Sequence, residues 1–338
     1  MPTRLPLTSR QFWTALLAVA LLALALRTIF PAADPPWRTT VGVVWHDEGA
    51  WVHNARNKAL FGAWHQDEWN PVFIAPVFTA LEYLSFDAFG VGVRQARLVS
   101  EIAGWISVVL LALGMRRIAG NPAGLIAGAL LATNYVYVMY DRAAIMEGLM
   151  VALMVASWYC STRAEKQPAW GAAAGLLATL AFFTKAAAAF YVGALGLAGL
   201  ARLAGRRHDK ASMWTLAGLA VSFGAVGIFF VLPHWTDYIF YNWQMSVTRK
   251  PSYDLKSILD RLTGFPIYHD VFTRMWAELC IGIAAAWGIA LRWRRAGDGE
   301  RLLLLWLALG AAEMLLHDVG NERRFVQLIP ALVALTAL

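Results

Sequence analysis

The sequence predicts an all-α polytopic membrane protein, a bundle of about ten transmembrane helices with amphipathic helices on its outer surface. Hydrophobic residues make up 59% of the 338 and charged residues only 15%, against roughly 25% charged in an ordinary soluble domain. Apolar runs of about 20 residues recur along the chain, and that length at 1.5 Å rise crosses a hydrocarbon core of about 30 Å. The loops between runs are short and basic on alternate sides, the pattern that sets membrane orientation. Helices follow because every backbone polar group in lipid must be paired within its own segment.

The first run, 12–33, follows Arg4 and Arg10. Its length and the internal Arg27 predict an uncleaved anchor rather than a secretory signal. A long outer loop, 34–96, comes next. Within it, HDEGAWVHNARNKALFGAW reads as a short helix parallel to the membrane, with Glu48, Val52 and Arg56 on one stripe. Pro71 to Phe89 is apolar but broken by Pro71, Pro76, Glu82 and Asp87, so it reads as an amphipathic segment on the outer surface. Further spans are expected at 97–115, 122–140, 143–162, 168–184, 186–203, 212–232, 274–291, 302–316 and from 325 onward. Between the seventh and eighth spans, residues 233–273 form a second long outer loop, rich in Trp, Tyr and Phe, that reads as a cap over the cavity. The chain stops inside an apolar run at Leu338, so 1–338 is expected to be a single transmembrane domain, either C-terminally truncated or a short variant.

The net charge of +7 is spread between apolar runs, not gathered in a patch interleaved with aromatics, which argues against a nucleic-acid partner. With the amino terminus cytoplasmic, the inner loops carry Arg116 and Arg117, Arg163 and Lys166, Arg202, Arg206, Arg207 and Lys210, then Arg292, Arg294, Arg295 and Arg301. Cys160 and Cys280 form no metal or redox motif and are expected near opposite faces, too far apart to pair.

The outer face holds the unusual charges: Asp47, Glu48, Arg56, Arg94 and Arg97 in or after the first loop, Asp141, Arg142 and Glu147 at a tight turn, Lys185, and then His317, Asp318, Glu322, Arg323 and Arg324. Taken singly, each is explained as a helix-end anchor, and Asp47 and Glu48 as an acidic pair favoured by a helix N-terminus. Snorkelling favours Lys and Arg, however, and does not explain four acids at one face. His46 and His53 beside the acid pair, and His234 with His269, are the candidate nitrogen ligands for a divalent cation, which stays possible but not required; single histidines beside an acid pair are more often interface residues.

In this order and on this side, the segments resemble the GT-C superfamily of membrane glycosyltransferases, especially the family-39 type that includes protein O-mannosyltransferases and lipid A aminoarabinose transferases. The resemblance runs from Trp45 to Pro330. It makes Asp47 the catalytic carboxylate and Glu48 its catalytic neighbour, and it matches Ala55-Arg56 to a family helix. Asn70-Pro71 stands where the family often has two prolines, and either Arg94 or Arg97 opens the next span. The outer-turn arginine matches Arg142, and the acid beside it is Asp141 or Glu147. Lys185 follows the fifth span, and Arg324-Phe325 precedes a late one.

The resemblance implies inverting transfer of a sugar from a polyprenyl-phosphate carrier to an acceptor hydroxyl on a glycan, lipid or protein. It places the chain in the inner membrane with its site on the outer face. A carboxylate takes the acceptor proton while cations receive the departing phosphate. Consistent with a lipid-borne donor, no nucleotide-binding glycine loop is present. The alternative is a polytopic transporter or lipid flippase, but such proteins show repeated halves and charges near the midplane, and here no clear repeat exists and the charges collect at one surface.

Overall fold

Thr8 opens the first helix. Its hydroxyl accepts from the Gln11 backbone N–H and the Gln11 side chain accepts from the Thr8 N–H, so a capping box starts α1 (Ser9–Thr28). The computed structural model describes residues 7–33, 46–64, 70–205, 209–247, 254–263, 274–317 and 322–338. Within them the secondary structure is helical, with no strand.

After α1 come α2 (His46–Phe61), α3 (Pro71–Ile74) and α4 (Pro76–Phe89). Pro71 and Pro76 occupy first turns, where the missing N–H has no helical partner to lose. The start of α4 lies against the ends of later helices, where Pro76 and Val77 share an apolar cavity wall with Leu149, Leu180 and Phe183. The amphipathic reading of 71–89 therefore needs one amendment: its buried face carries Glu82, fully enclosed, beside Phe78 and Phe86.

The helix α5 (Val93–Thr133) is a hairpin. At Gly120 the backbone takes φ 88° and ψ 178°, which a Cβ would resist, and the chain folds back. Gly124 and Gly128 in the second limb then sit against Ala112 of the first. Asn134 caps α6 (Tyr135–Asp141) by accepting from the Tyr137 N–H. A sharp turn leads to α7 (Met146–Ala164), followed by α8 (Trp170–Thr184), a 3₁₀ turn at Ala186–Ala188, α9 (Ala189–Gly205) and α10 (Lys210–Val226), which continues through a π segment, Gly227–Val231. The rest comprises α11 (Trp235–Val247), α12 (Leu255–Thr263), α13 (Trp276–Leu291), α14 (Asp298–His317), a 3₁₀ segment Glu322–Leu328 and α15 (Ile329–Thr336).

Small residues set the helix spacing, as expected where packing rather than hydrophobic transfer drives association in lipid. Gly171 and Gly175 lie one turn apart on α8 and meet α10. A Cβ at Gly175 would stand 2.5 Å from the Leu219 nitrogen and the Thr215 carbonyl, and one at Gly218 would stand 2.5 Å from the Ala172 carbonyl. The outward faces stay apolar, with Val221 71%, Phe229 79%, Trp287 68% and Leu291 74% exposed. Exposed apolar side chains on this scale fit lipid and not water, and the chain is a multi-pass membrane protein.

Four helical stretches in the described residues are long and apolar enough to cross a membrane, or five if α6 and α7, bent by 115°, count as one span. The expectation of about ten is not reached by this measure. Two expected spans survive only as the short apolar helices Trp170–Thr184 and Trp276–Leu291, below the roughly 20 residues a full crossing needs. Of two others, 97–115 lies in the first limb of α5 and 122–140 runs from its second limb, beyond the Gly120 turn, through Asn134 into α6.

The bundle has two distinct ends. At one, Asn121 donates to the Leu7 carbonyl at 2.8 Å, Arg117 to the Thr162 carbonyl at 3.5 Å, and Arg202 pairs with Asp298 at 3.0 Å, so the loops expected to be inner and basic do meet. Arg206 and Arg207 lie outside the described residues. At the other end gather the carboxyl end of α1, the start of α2, the α6–α7 turn and Lys185. Cys160 is buried and Cys280 exposed, and both are free thiols.

Candidate active site

Two adjacent carboxylates on the first turn of α2 take opposite roles. Successive helical residues point about 100° apart, so Asp47 and Glu48 address different neighbours. Glu48 turns inward. It accepts from Arg97 Nε at 2.8 Å and Arg97 Nη2 at 2.7 Å, and also from the Ala144 N–H at 2.6 Å, with its side chain only 4% exposed. Arg97 in turn donates to the Pro31 and Ala33 carbonyls. This bidentate pair fastens α2, α5 and the end of α1 together. The sequence placed Glu48 on a stripe with Arg56; instead its partner is Arg97, and Arg56 is exposed with a hydrogen bond to the neighbouring Asn57.

Asp47 turns toward the other late helices. Its carboxylate accepts from Arg323 Nη1 at 2.5 Å and remains 31% exposed. Arg323 also lies 2.9 Å from Glu147 through Nε, and Glu147 accepts from Lys185 Nζ. Asp47, Arg323, Glu147 and Lys185 thus form a chain of alternating charge drawn from α2, the 3₁₀ segment, the start of α7 and the end of α8. Only Asp47 is substantially open, since Arg323, Lys185 and Glu147 side chains are 8%, 14% and 2% exposed. Burial alone would lower the Arg323 pKa, but the carboxylates of Glu147 and Asp47 outweigh it and hold the guanidinium charged. Burial lowers Lys185, opposed by Glu147 and reinforced by Arg323 and Arg324.

The remaining expected residues fall elsewhere. Asp141 forms a fully buried pair with Arg27 at 3.1 Å, in space left by Gly104, where a Cβ would collide with both side chains. The second-acid choice between Asp141 and Glu147 therefore separates in space: Glu147 joins the Asp47 chain, and Asp141 belongs to α1 packing. Arg142 donates to the Ile29 and Phe30 carbonyls at 2.7 and 2.8 Å. It holds a strained turn there, since Phe30 has φ 55°. Arg94 is exposed and makes no ion pair among the described residues. Arg324, the expected basic residue, faces Glu313 at 3.8 Å, with Glu313 also accepting from Gln327.

Sequence reasoning thus missed Arg323 as the partner of Asp47 and Arg27 as the partner of Asp141. A signal existed for the second: a lone arginine inside an apolar run needs an acid partner.

Asn54 on α2 accepts from the Val72 N–H at 3.1 Å and donates to Asn70 at 3.3 Å, which in turn donates to Tyr241. Phe73 stacks on Tyr241 at 5.6 Å, and Asn242 donates to the Phe73 carbonyl. These contacts lay α11, part of the expected cap 233–273, over α3. Residues 34–45, 65–69, 248–253 and 264–273 of the two expected outer loops, with His269 among them, and also Asp318, lie outside the described residues, as does the His46 side chain. His53 is buried with Nδ1 2.9 Å from the Ala50 carbonyl, and no group of three His, Cys, Asp or Glu converges among the described residues. Both acid-pair carboxylates face arginines.

The family described as dolichyl-phosphate-mannose-protein mannosyltransferase matches residues 73–236, just under half of the chain. That stretch contains Glu147 and Lys185 but neither Asp47 nor Arg323. Comparison with curated protein sequences finds no match. Among solved structures, ArnT from Cupriavidus metallidurans in the apo state superposes with a TM-score of 0.63 at 17% identity, covering 98% of this chain and 60% of that one. The same enzyme bound to undecaprenyl phosphate gives 0.59 at 17%, covering 96% and 58%. The Archaeoglobus fulgidus oligosaccharyltransferase in its apo form gives 0.63 at 14%, covering 97% and 50%. The chain therefore spans about 60% of ArnT and half of the archaeal enzyme. This chain shares the fold of these membrane enzymes.

Proposed function

We propose that this protein is an inverting glycosyltransferase that moves a sugar from a polyprenyl-phosphate carrier to an acceptor hydroxyl. The observation that carries the reading is the chain Asp47–Arg323–Glu147–Lys185, in which one accessible carboxylate abuts the enclosed Arg323 and Glu147 links that guanidinium to Lys185. Asp47 is the base. As the acceptor oxygen bonds to the anomeric carbon, its proton passes to Asp47, and the carbon–oxygen bond to the carrier phosphate breaks with the electron pair leaving on that phosphate. Arg323 and Lys185 stabilise the growing charge. Their charges are balanced by Asp47 and Glu147. Phosphate arriving at Arg323 competes with Asp47 for the guanidinium, so donor binding itself releases the base for proton transfer.

Similar proteins support the donor class: the ArnT structure holds undecaprenyl phosphate, and the archaeal oligosaccharyltransferase AglB has been solved with dolichol-phosphate and an inhibitory peptide. The acceptor here is a glycan, lipid or protein hydroxyl. The protein lies in the inner membrane with its amino terminus cytoplasmic, because the basic loops gather at the α1 start, and the acid–base chain then faces outward. Within the site, Asp47 is catalytic and Lys185 and Arg323 bind phosphate. Glu48, Arg97, Asp141 and Arg142 position the helices around them, while the exposed Arg56 and Arg94 are left to the acceptor.

Membranes bearing the chain, supplied with radiolabelled polyprenyl-phosphate sugars, test the reaction. Label moving to a new acceptor with loss of the phosphate-linked form is expected. Label crossing the bilayer still attached to its carrier would instead establish a flippase.

A further inference from the structure

A second cavity lies at the basic end of the bundle, opposite the acid–base chain. It occupies about 350 Å³ between the last turns of α7 and α9 and the first turns of α10 and α14. Glu147 and Ala164 mark the two ends of α7, so about 25 Å of helix separates the two sites. Leu195, Ala198, Leu302 and Leu305 form its apolar wall, and Arg202, Arg294 and Arg301 its charged rim.

The rim charges are arranged, not scattered. Arg202 bridges Asp209 at 2.9 Å and Asp298 at 3.0 Å, and Arg301 also pairs with Asp298 at 3.1 Å while donating to the Trp293 and Arg294 carbonyls. Two carboxylates thus fix two guanidiniums. Arg294 remains exposed and makes no ion pair among the described residues. Trp293, 38% exposed, stands at the same edge, where a membrane–water interface favours an indole. A basic recess between helix ends with a greasy wall suits a ligand that is anionic at one end and apolar at the other.

We propose that this cavity binds an anionic phospholipid, with the phosphate on Arg294 and Arg301 and the glycerol and first acyl carbons against the leucine wall. A soluble phosphate would use the same rim but gain nothing from the wall, and its binding is the competing outcome. The proposal is independent of the reaction at the far end.

Native mass spectrometry of the detergent-solubilised full chain tests it, with phosphatidylglycerol and phosphatidylcholine offered at equal concentration. Wild-type protein is expected to retain one phosphatidylglycerol, favoured about tenfold over phosphatidylcholine. Arg294→Glu reverses the unpaired charge. Gly205→Leu adds bulk at a lining position where a Cβ meets nothing within 4 Å, so it fills space without straining the fold. Each variant should cut that occupancy about tenfold, with melting temperatures in lipid-free detergent unchanged. Equal retention of the two lipids, undiminished retention in both variants, or displacement of the lipid by inorganic phosphate would overturn the proposal.

Discussion

Asp47 and Glu48 show how one helical step separates two roles. Glu48 is enclosed and spends both oxygens on Arg97, whereas Asp47 keeps a wet edge. Breaking a buried pair leaves an uncompensated charge, so Arg97→Met should destabilise the protein by about 3–5 kcal/mol, read as a lower melting temperature in detergent. An unchanged melting temperature would remove Arg97 from its fastening role. Arg323 and Arg324 form a second adjacent pair with unequal duties. Arg323→Gln should lower the turnover rate about 10²–10³-fold, the usual cost of losing one charge-stabilising donor. Arg324→Gln should leave it within a few fold, and steady-state transfer kinetics separate the two.

Glu82 gives a pH-dependent prediction. Burial, then the nearby Glu48, push its carboxyl well above the ordinary carboxylate range. A raised acid pKa means the native state resists charging. The penalty is absent below the unfolded value of about 4.3 and grows as pH rises above it. Glu82→Gln should therefore raise the melting temperature at neutral pH, with the gain vanishing below about pH 4. A gain that persists in acid would point to packing instead.

Among the elements, the contact of α8 with α10 rests on glycines that leave no room for a side chain. Gly175→Leu should force the helices apart and cost about 1–3 kcal/mol or more, visible as a lower melting temperature. The apolar runs that became helices were readable in sequence. Length, composition and periodicity are local properties, and lipid imposes them on each segment separately. What the sequence did not disclose follows from geometry between segments. Residues in a 3₁₀ turn point about 120° apart, so Glu322–Leu328 can bring only one of two neighbouring arginines to Asp47, and sequence order does not say which. The same holds for Asp141 and Glu147, which a sharp turn sends to different partners although the sequence sets them six residues apart.

Over the whole molecule, charge is sorted to two ends of a helical bundle. One end holds the alternating chain of acids and bases, and the other the arginine-rimmed cavity. That the expected inner loops meet at one end shows how far a charge bias in short loops carries topology, while burial of charges such as Arg27, Glu82 and Asp141 within the bundle was invisible to a rule that counts only loops. The proposed reaction rests on Asp47 being the group that accepts the proton. Single-turnover transfer of labelled sugar by the Asp47→Asn variant, with donor retention measured in parallel, tests this most directly. Transfer is expected to fall about 10²–10⁴-fold with the polyprenyl-phosphate donor still bound. Transfer at the wild-type rate by a correctly inserted variant would contradict it.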